Sequence, residues 1–404
     1  MKILVLVLTL ISGYSFAQTI RIADNNASKP AGAHVYATLQ AAINDAVAGD
    51  IVYVQPSLTT YGAVIIDRPI TLRGIGFNTG KDIAYTSIVG NITLTNNAPG
   101  TSNASGTTIE GIIFDNIYLG TLTGSFTYTL QNIVITNCQG NRVFRQGGYQ
   151  NAQNITVKNS IIGIHFDLTN INQLLVYNNY LLGATSAYYG GCQWSSFFLG
   201  GGSITNVIIS NNIIAQDASN GISGSVSGLV FANNDILGGT VISSRFIRNQ
   251  GVGGCYNISG LYDATVSNNI FYGCAPSAAA TTFERNAFFN NLSYGTAADA
   301  LPPAGSGAGN SGSGNVVAQD PKFTNAPYNT AYTSSMDFTL QATSPAKNAG
   351  ADGTDIGITG GAYPVTAGNI ILRPTSMPVI ITLNPTAITP QGQPVKTSIK
   401  AKGN

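Results

Sequence analysis

The sequence predicts an all-β chain wound as a parallel β-helix, and three observations carry that expectation. First, an Asn, once an Asp, closes a short apolar strand at Asp115, Asn137, Asn159, Asn178, Asn211, Asn233, Asn268 and Asn290. Four of the seven steps between these markers are 22 residues, one is 19, and those of 33 and 35 read as 22 with insertions. Second, the same alternation surrounds each marker. Two residues before it stand Ile113, Ile135, Val157, Val176, Ile209, Phe231, Val266 and Phe288, whereas the intervening positions are mixed (Thr136, Lys158, Tyr177, Ser210, Ala232, Ser267). Period two is the pattern of a half-buried strand. Third, charged residues make up 9% of the chain, against roughly 25% in ordinary domains. Glu occurs only at Glu110 and Glu284, which leaves a composition for strands and turns rather than helices.

A 22-residue unit with one corner and no room for a helix is one turn of a solenoid. Its coils stack at about 4.8 Å and bury their apolar side chains along the axis. An antiparallel sandwich would instead show two-residue hairpin turns and no fixed long register. Asn suits the corner because it tolerates left-handed backbone, and stacked amides bond coil to coil. Two residues after the markers stand Ile117, Ile161, Tyr180, Ile213, Ile270 and Leu292, where the chain is expected to re-enter the core.

Met1 to Ala17 has the form of a secretion signal: Lys2, an apolar stretch Ile3 to Ile11, and the small-x-small site Ser15-Phe16-Ala17. Residues 18–363 form the β-helix. Thr38 to Gly49 places Leu39, Ala42, Ile43, Ala46 and Val47 on one face of a short capping helix. Inserted loops fall at about 183–202 and 245–260, and a Gly/Ala/Ser/Pro loop at 295–314. Short strands follow over 320–363, and 364–404 is a strand-rich tail. The four cysteines (Cys138, Cys192, Cys255, Cys274) lack metal-ligand spacing, and in an exported chain they leave three pairings or a buried free Cys138 open.

Eighteen Lys and Arg nearly balance seventeen Asp and Glu. That excludes nucleic-acid binding by phosphate neutralisation and a polybasic membrane-surface protein. No segment reaches the roughly 18 apolar residues of a membrane span.

The run TLQAAINDAVAGDIVYVQP…YGAVIIDRPITLRGIG resembles the opening of secreted right-handed parallel β-helix proteins of the pectin-lyase-like superfamily. The stretch from Asp320-Pro321 through Ser344-Pro345-Ala346 to Asp355-Ile356-Gly357 resembles their last coils, so the resemblance spans about residues 20 to 363. Similar chains with a short strand-rich ending look like exported Bacteroidetes proteins. The resemblance implies the fold and not a reaction, since the superfamily holds lyases, hydrolases, epimerases, adhesins and proteins without assigned activity. The motifs of polygalacturonases (Asn-Thr-Asp, Asp-Asp, His-Gly, Arg-Ile-Lys) are absent, as is the Trp-Ile-Asp-His segment of the main pectate lyases. The Glu-rich calcium site of alginate-lyase-like enzymes has no counterpart either.

Counted from the corners, Arg145 and Asp167 share the eighth place on successive coils, and His165 and Asp217 share the sixth place two coils apart. With a His for proton transfer, the candidate catalytic set is His165, Arg145 and Asp167. Tyr188, Tyr189 and Trp194, on the first inserted loop, form a candidate sugar-stacking wall with Asp217. Arg245 and Arg248 (RFIRNQG), like Arg142 and Arg145 (RVFRQG), form a pair suited to gripping an anionic polymer. No metal site or cofactor is expected; Asp352 and Asp355 (GADGTD) are the one place where calcium is considered. The expected function is an exported β-helix that binds polysaccharide or a cell-surface glycan without catalysis. The alternatives are a polysaccharide lyase or related enzyme, and a structural or adhesive surface protein.

Overall fold

The structure, a computed structural model, describes residues 19–77, 86–95, 103–120, 128–145, 150–167, 169–182, 197–200, 204–215, 226–227, 230–232, 234–237, 265–273, 285–295, 300–302, 309–328, 335–366, 379–385 and 397–402. Two long sheets dominate, of 14 and 12 strands among these residues. The strands pair in parallel, and each joins the corresponding strand of the next coil, Leu130–Thr136 with Gln150–Lys158 and that with Thr169–Tyr177. The chain is a parallel β-helix. Its register reproduces the sequence steps: Ile135↔Val157, Val157↔Val176, Val176↔Ile209, Ile209↔Phe231, Phe231↔Val266 and Val266↔Phe288.

Two corners shape each coil. The marker asparagines Asn137, Asn159, Asn178, Asn211, Asn268 and Asn290 adopt left-handed backbone, with φ between 50° and 57°. Five residues earlier a second set does the same: Asn132, Asn154, Gln173, Asn206 and Arg285. Left-handed geometry costs an L-residue roughly 1–2 kcal/mol, and Asn least of the non-glycines. Asp115 is not a corner. It lies inside the strand Ile113–Leu119, and Gly111, at φ 67°, turns that coil. The Gly111 N–H donates to Thr136 O as the Asn137 N–H donates to Lys158 O.

The amide stacking expected of the corner residue belongs to its neighbour. Ser160, Asn179, Asn212, Asn234, Asn269 and Asn291 follow the corners and are wholly buried. The main-chain N–H of Ser160 donates to Asn179 Oδ1, and the same bond, at 3.0 Å, repeats from Asn179 to Asn212, Asn234, Asn269, Asn291 and finally Asn315. Each buried donor thereby finds an acceptor one coil away, as burial requires.

The main core runs between the sheets and includes Ile133, Ile135, Ile155, Val157, Leu174, Val176, Val207, Ile209, Phe271 and Phe288. Of the positions two after the markers, Ile117 lies in the main core, as expected, but the others do not re-enter it. Tyr180, Ile213, Ile270 and Leu292 build a second core on the outer face of the second sheet with Phe323, Met336, Phe338, Leu340, Ile356 and Ile358. The chain enters the main core one place later, at Ile162, Leu181, Ile214 and Phe271. The buried corner residue takes up one alternation, so its successor points outward.

The second layer comes from the segment after the solenoid. Phe323–Asn325 pairs antiparallel with Asp337–Leu340, and the chain then runs back over the corners. Asn290 Nδ2 donates to Ala349 O, Asn268 Oδ1 accepts from Ala351 N, and Asn211 Nδ2 donates to Ile358 O and Gly360 O. Tyr363 then stacks on Tyr177 with ring centroids 4.2 Å apart. Asp355 fixes this stretch by accepting from Asn348 N, Lys347 Nζ and Thr359 Oγ1. Burial acts to raise its carboxyl pKa, and those three donors outweigh it, holding the pKa below the usual 3.8. A depressed pKa contributes stability above the unfolded value and loses it as pH falls through the folded one. The stability gap between the protein and Asp355→Asn is therefore expected to be full at neutral pH and to shrink below about pH 4. Denaturant titrations at neutral and acid pH check this; a gap independent of pH contradicts it.

At the other end Leu39–Asp45 caps the first coil, with Leu39, Ala42 and Ile43 buried and Thr38 Oγ1 accepting from Ala41 N. Val47, expected on the buried face, is exposed, because the helix ends before it. Asp50, buried, accepts from Thr19 N and Val47 N and pairs with Arg21 at 2.8 Å. In the tail, Val379–Pro385 pairs antiparallel with Thr397–Lys402. No helix of the described residues is long and apolar enough to cross a membrane. The segment read as a secretion signal, residues 1–17, lies outside the described residues.

Candidate functional site

The sequence-predicted catalytic residues lie on two adjacent strands of the second sheet, Gln139–Arg145 and Ile161–Asp167. Their register differs from the corner count. Gln139 pairs with Ile161, but Arg142 pairs with Gly163, because one extra residue is accommodated between Gln139 and Arg142. Arg145 therefore stands opposite Phe166, one step from Asp167, and His165 stands opposite Phe144. Part of the inserted loop forms a third strand, Phe197–Gly200, which sets Phe198 beside His165 and Gly200 beside Asp167. Tyr188, Tyr189, Trp194, Asp217, Arg245 and Arg248 lie outside the described residues, as do Cys192, Cys255 and Cys274. Cys138 is a buried free thiol, and burial pushes its pKa up to about 12. At the calcium candidate, Asp352 Oδ1 accepts from Thr354 N and Oγ1, and the Asp355 carboxylate is taken by the donors named above. These bonds turn the chain at that place.

The outward column just before the marker corners is largely covered. Thr136 and Ser210 are buried, and Ser210 Oγ lies 2.6 Å from Asn211 Oδ1. Lys158 Nζ sits over the Tyr177 ring at 5.7 Å, and that ring stacks on Tyr363. Earlier in the same column Arg73 pairs with Glu110 at 3.0 Å.

A different face is open, and the earlier corner creates it. Leu130, Ala152 and Ile171 point inward before this corner, and Ile133, Ile155 and Leu174 point inward after it. The left-handed residue interrupts strand alternation, so two consecutive side chains per coil face solvent. Gln131 and Asn132 do so on one coil, Gln153 and Asn154 on the next, and Asn172 and Gln173 on the third, all exposed. The fourth coil presents half-buried Thr205 and exposed Asn206. Gln131↔Gln153, Gln153↔Asn172 and Asn172↔Thr205 are register partners, so the side chains stand in columns across the strands. Asn151 and Asn170 extend the array by one further pair.

Hydrogen bonds between coils hold these amides in place. Asn154 Nδ2 donates to Asn132 Oδ1 at 2.8 Å, and Asn170 Nδ2 to Asn151 Oδ1 at 3.1 Å. Asn206 Nδ2 and Thr205 Oγ1 both donate to Asn172 Oδ1, at 2.7 and 3.1 Å. A carboxamide offers two donors and a two-lone-pair acceptor. The strip is thus a fixed array of neutral hydrogen-bonding groups, with no charged residue among its ten members. The marker pattern alone does not reveal it. The available signal is a polar residue five places before each of four markers: Asn132, Asn154, Gln173 and Asn206.

No protein-family model matches the sequence, and no curated protein matches it. Among solved structures, the chain is similar to the crystal structure of the pectate lyase Pel9A, with a TM-score of 0.40 and 13% identity, over 84% of this chain and 96% of that one.

Proposed function

We propose that this is an exported β-helix protein that binds polysaccharide along the carboxamide strip without cleaving it. The strip itself carries the reading: ten amide and hydroxyl side chains, exposed or half-buried, stand in register on four consecutive coils without a charge. Neutral sugars present hydroxyls that both donate and accept, and amides answer both. Repetition of the array supplies many weak contacts to one long ligand. Pre-set side chains also lose less freedom on binding.

Affinity electrophoresis in gels containing neutral or uronic-acid polysaccharides tests this reading. The protein is expected to be retarded by at least one neutral polymer, with no new reducing or unsaturated ends. The Gln153→Ala/Asn172→Ala double variant is expected to bind about tenfold more weakly, from two or so hydrogen bonds worth about 0.5–1.5 kcal/mol each. Both positions are exposed, so its melting temperature stays near that of the parent. Retardation unchanged by the double substitution contradicts the reading.

A catalytic alternative draws on one observation, the adjacency of the strands bearing Arg145, His165 and Asp167 to the strand Phe197–Gly200. It requires product formation from a polysaccharide and its loss in His165→Ala.

A further inference from the structure

We infer that the strip takes an extended, neutral, β-1,4-linked glycan lying along the solenoid axis, one sugar to a coil, over about four sugars. This rests on the strip being the binding surface. Three features of that surface set the ligand.

The first is direction. The exposed amides are only two to four residues wide on each strand, whereas their columns cross four strands spaced by about 4.8 Å. The long dimension of the surface therefore follows the coil stack and not the strands. A β-1,4-linked chain is a flat ribbon that advances per sugar by nearly the same distance as one coil. Successive sugars of such a ribbon are turned by about half a turn, so the same edge returns at every second coil, and carboxamides, which both donate and accept, can meet either edge. An α-1,4-linked glucan curls, and its hydroxyls leave that register after a sugar or two.

The second is length. In the coil before the strip, the residue level with Asn132 is Gly106, also left-handed, at φ 90°, and its N–H donates to Gln131 O. In the coil after it, Thr205 pairs with Ser227, a serine rather than an amide. Amide side chains thus fill the corner column on four coils, and Gly106 bounds them on one side.

The third is Gln173. It is left-handed at φ 67° and exposed. Glycine adopts that backbone without penalty, and glutamine is not among the residues that visit it readily. Its side chain is not needed to fill a core. A strained residue kept for an exposed amide points to what that amide meets.

Calorimetric titration of the full chain with cello-, manno- and xylo-oligosaccharides of two to six units tests the inference, with malto-oligosaccharides as the α-linked series. Affinity is expected to climb with length in at least one β-1,4 series and to level off near four units, with the malto series weak throughout. Gln173→Gly relieves the backbone strain, so it is expected to melt no lower than the parent while binding about tenfold more weakly. Such a pairing of unchanged or raised stability with lost affinity separates a ligand role from a folding role. Parent-like affinity in Gln173→Gly overturns the inference, as does a malto series binding as tightly as the β-linked ones. If neutral polysaccharide retards the protein in gels but every β-1,4 series is flat, the inference alone fails. If no neutral glycan binds in any format, the strip reading fails with it.

Discussion

Asn212→Ala is expected to destabilise the protein by on the order of 3–5 kcal/mol. Asn212 is fully buried. Its Oδ1 accepts from both the main-chain N–H and the Nδ2 of Asn179, and its Nδ2 donates to Val176 O, Ser210 O and Asn234 Oδ1. Alanine strands a buried N–H on one side and buried carbonyls on the other. Each orphaned group costs about 1–3 kcal/mol, and no room exists for the coils to separate without breaking the sheets. Asn212→Ser is expected to be milder, because Ser160 occupies the same place in an earlier coil. There Ser160 Oγ donates to Lys158 O and accepts from Cys138 N. Urea denaturation followed by circular dichroism checks the order of parent, Ser and Ala; equal stability of Ala and the parent contradicts the role given to the buried amides.

Phe288→Ala is expected to cost about 3–5 kcal/mol and Phe289→Ala about 0.5 kcal/mol or less. The two residues are neighbours on one three-residue strand, Ala287–Phe289. Phe288 is fully buried in the main core, whereas Phe289 is 37% exposed on the outer face. Removing the first opens a cavity in stacked coils whose spacing is fixed by backbone pairing, so little collapse can refill it. The same chemical change one residue away removes a solvent-facing ring. Similar losses for both variants would mean that the strand alternation is misassigned.

How much of the fold is legible in the sequence depends on whether a feature repeats. Coil length and inward positions repeat, so the pairs Ile135 and Val157, Ile209 and Phe231, and Val266 and Phe288 are enough to identify the core strand and its 22-residue period. The corner is identifiable for the same reason, except at Asp115, where Gly111 takes the turn and no Asn marks it. The buried amides are visible as Asn doublets (Asn178-Asn179, Asn211-Asn212, Asn268-Asn269, Asn290-Asn291), but the doublet's two members divide the work. The first takes the left-handed backbone, and the second makes the bonds between coils.

Features that depend on one extra residue or on distant chain are not legible in this way. The irregularity between Gln139 and Arg142 shifts Arg145 from Asp167 to Phe166, and nothing in the residue types announces it. The second core joins Ile213 and Ile270 to Phe338 and Ile358, which lie far along the chain and follow no period. Polar residues inside a strand pattern read as ordinary surface. Asn132, Asn154, Gln173 and Asn206 share a fixed offset from the markers, but it is the backbone geometry that sets them in one exposed column.

The most direct test of where ligand lies is hydrogen–deuterium exchange of the full chain, with and without a neutral polysaccharide that retards it in gels. The strip reading predicts slower exchange in peptides covering 129–136, 150–157, 170–176 and 204–209, with the strand Ile161–Asp167 unchanged. Protection confined to Gln139–Arg145 and Ile161–Asp167 would contradict it and place the ligand beside His165.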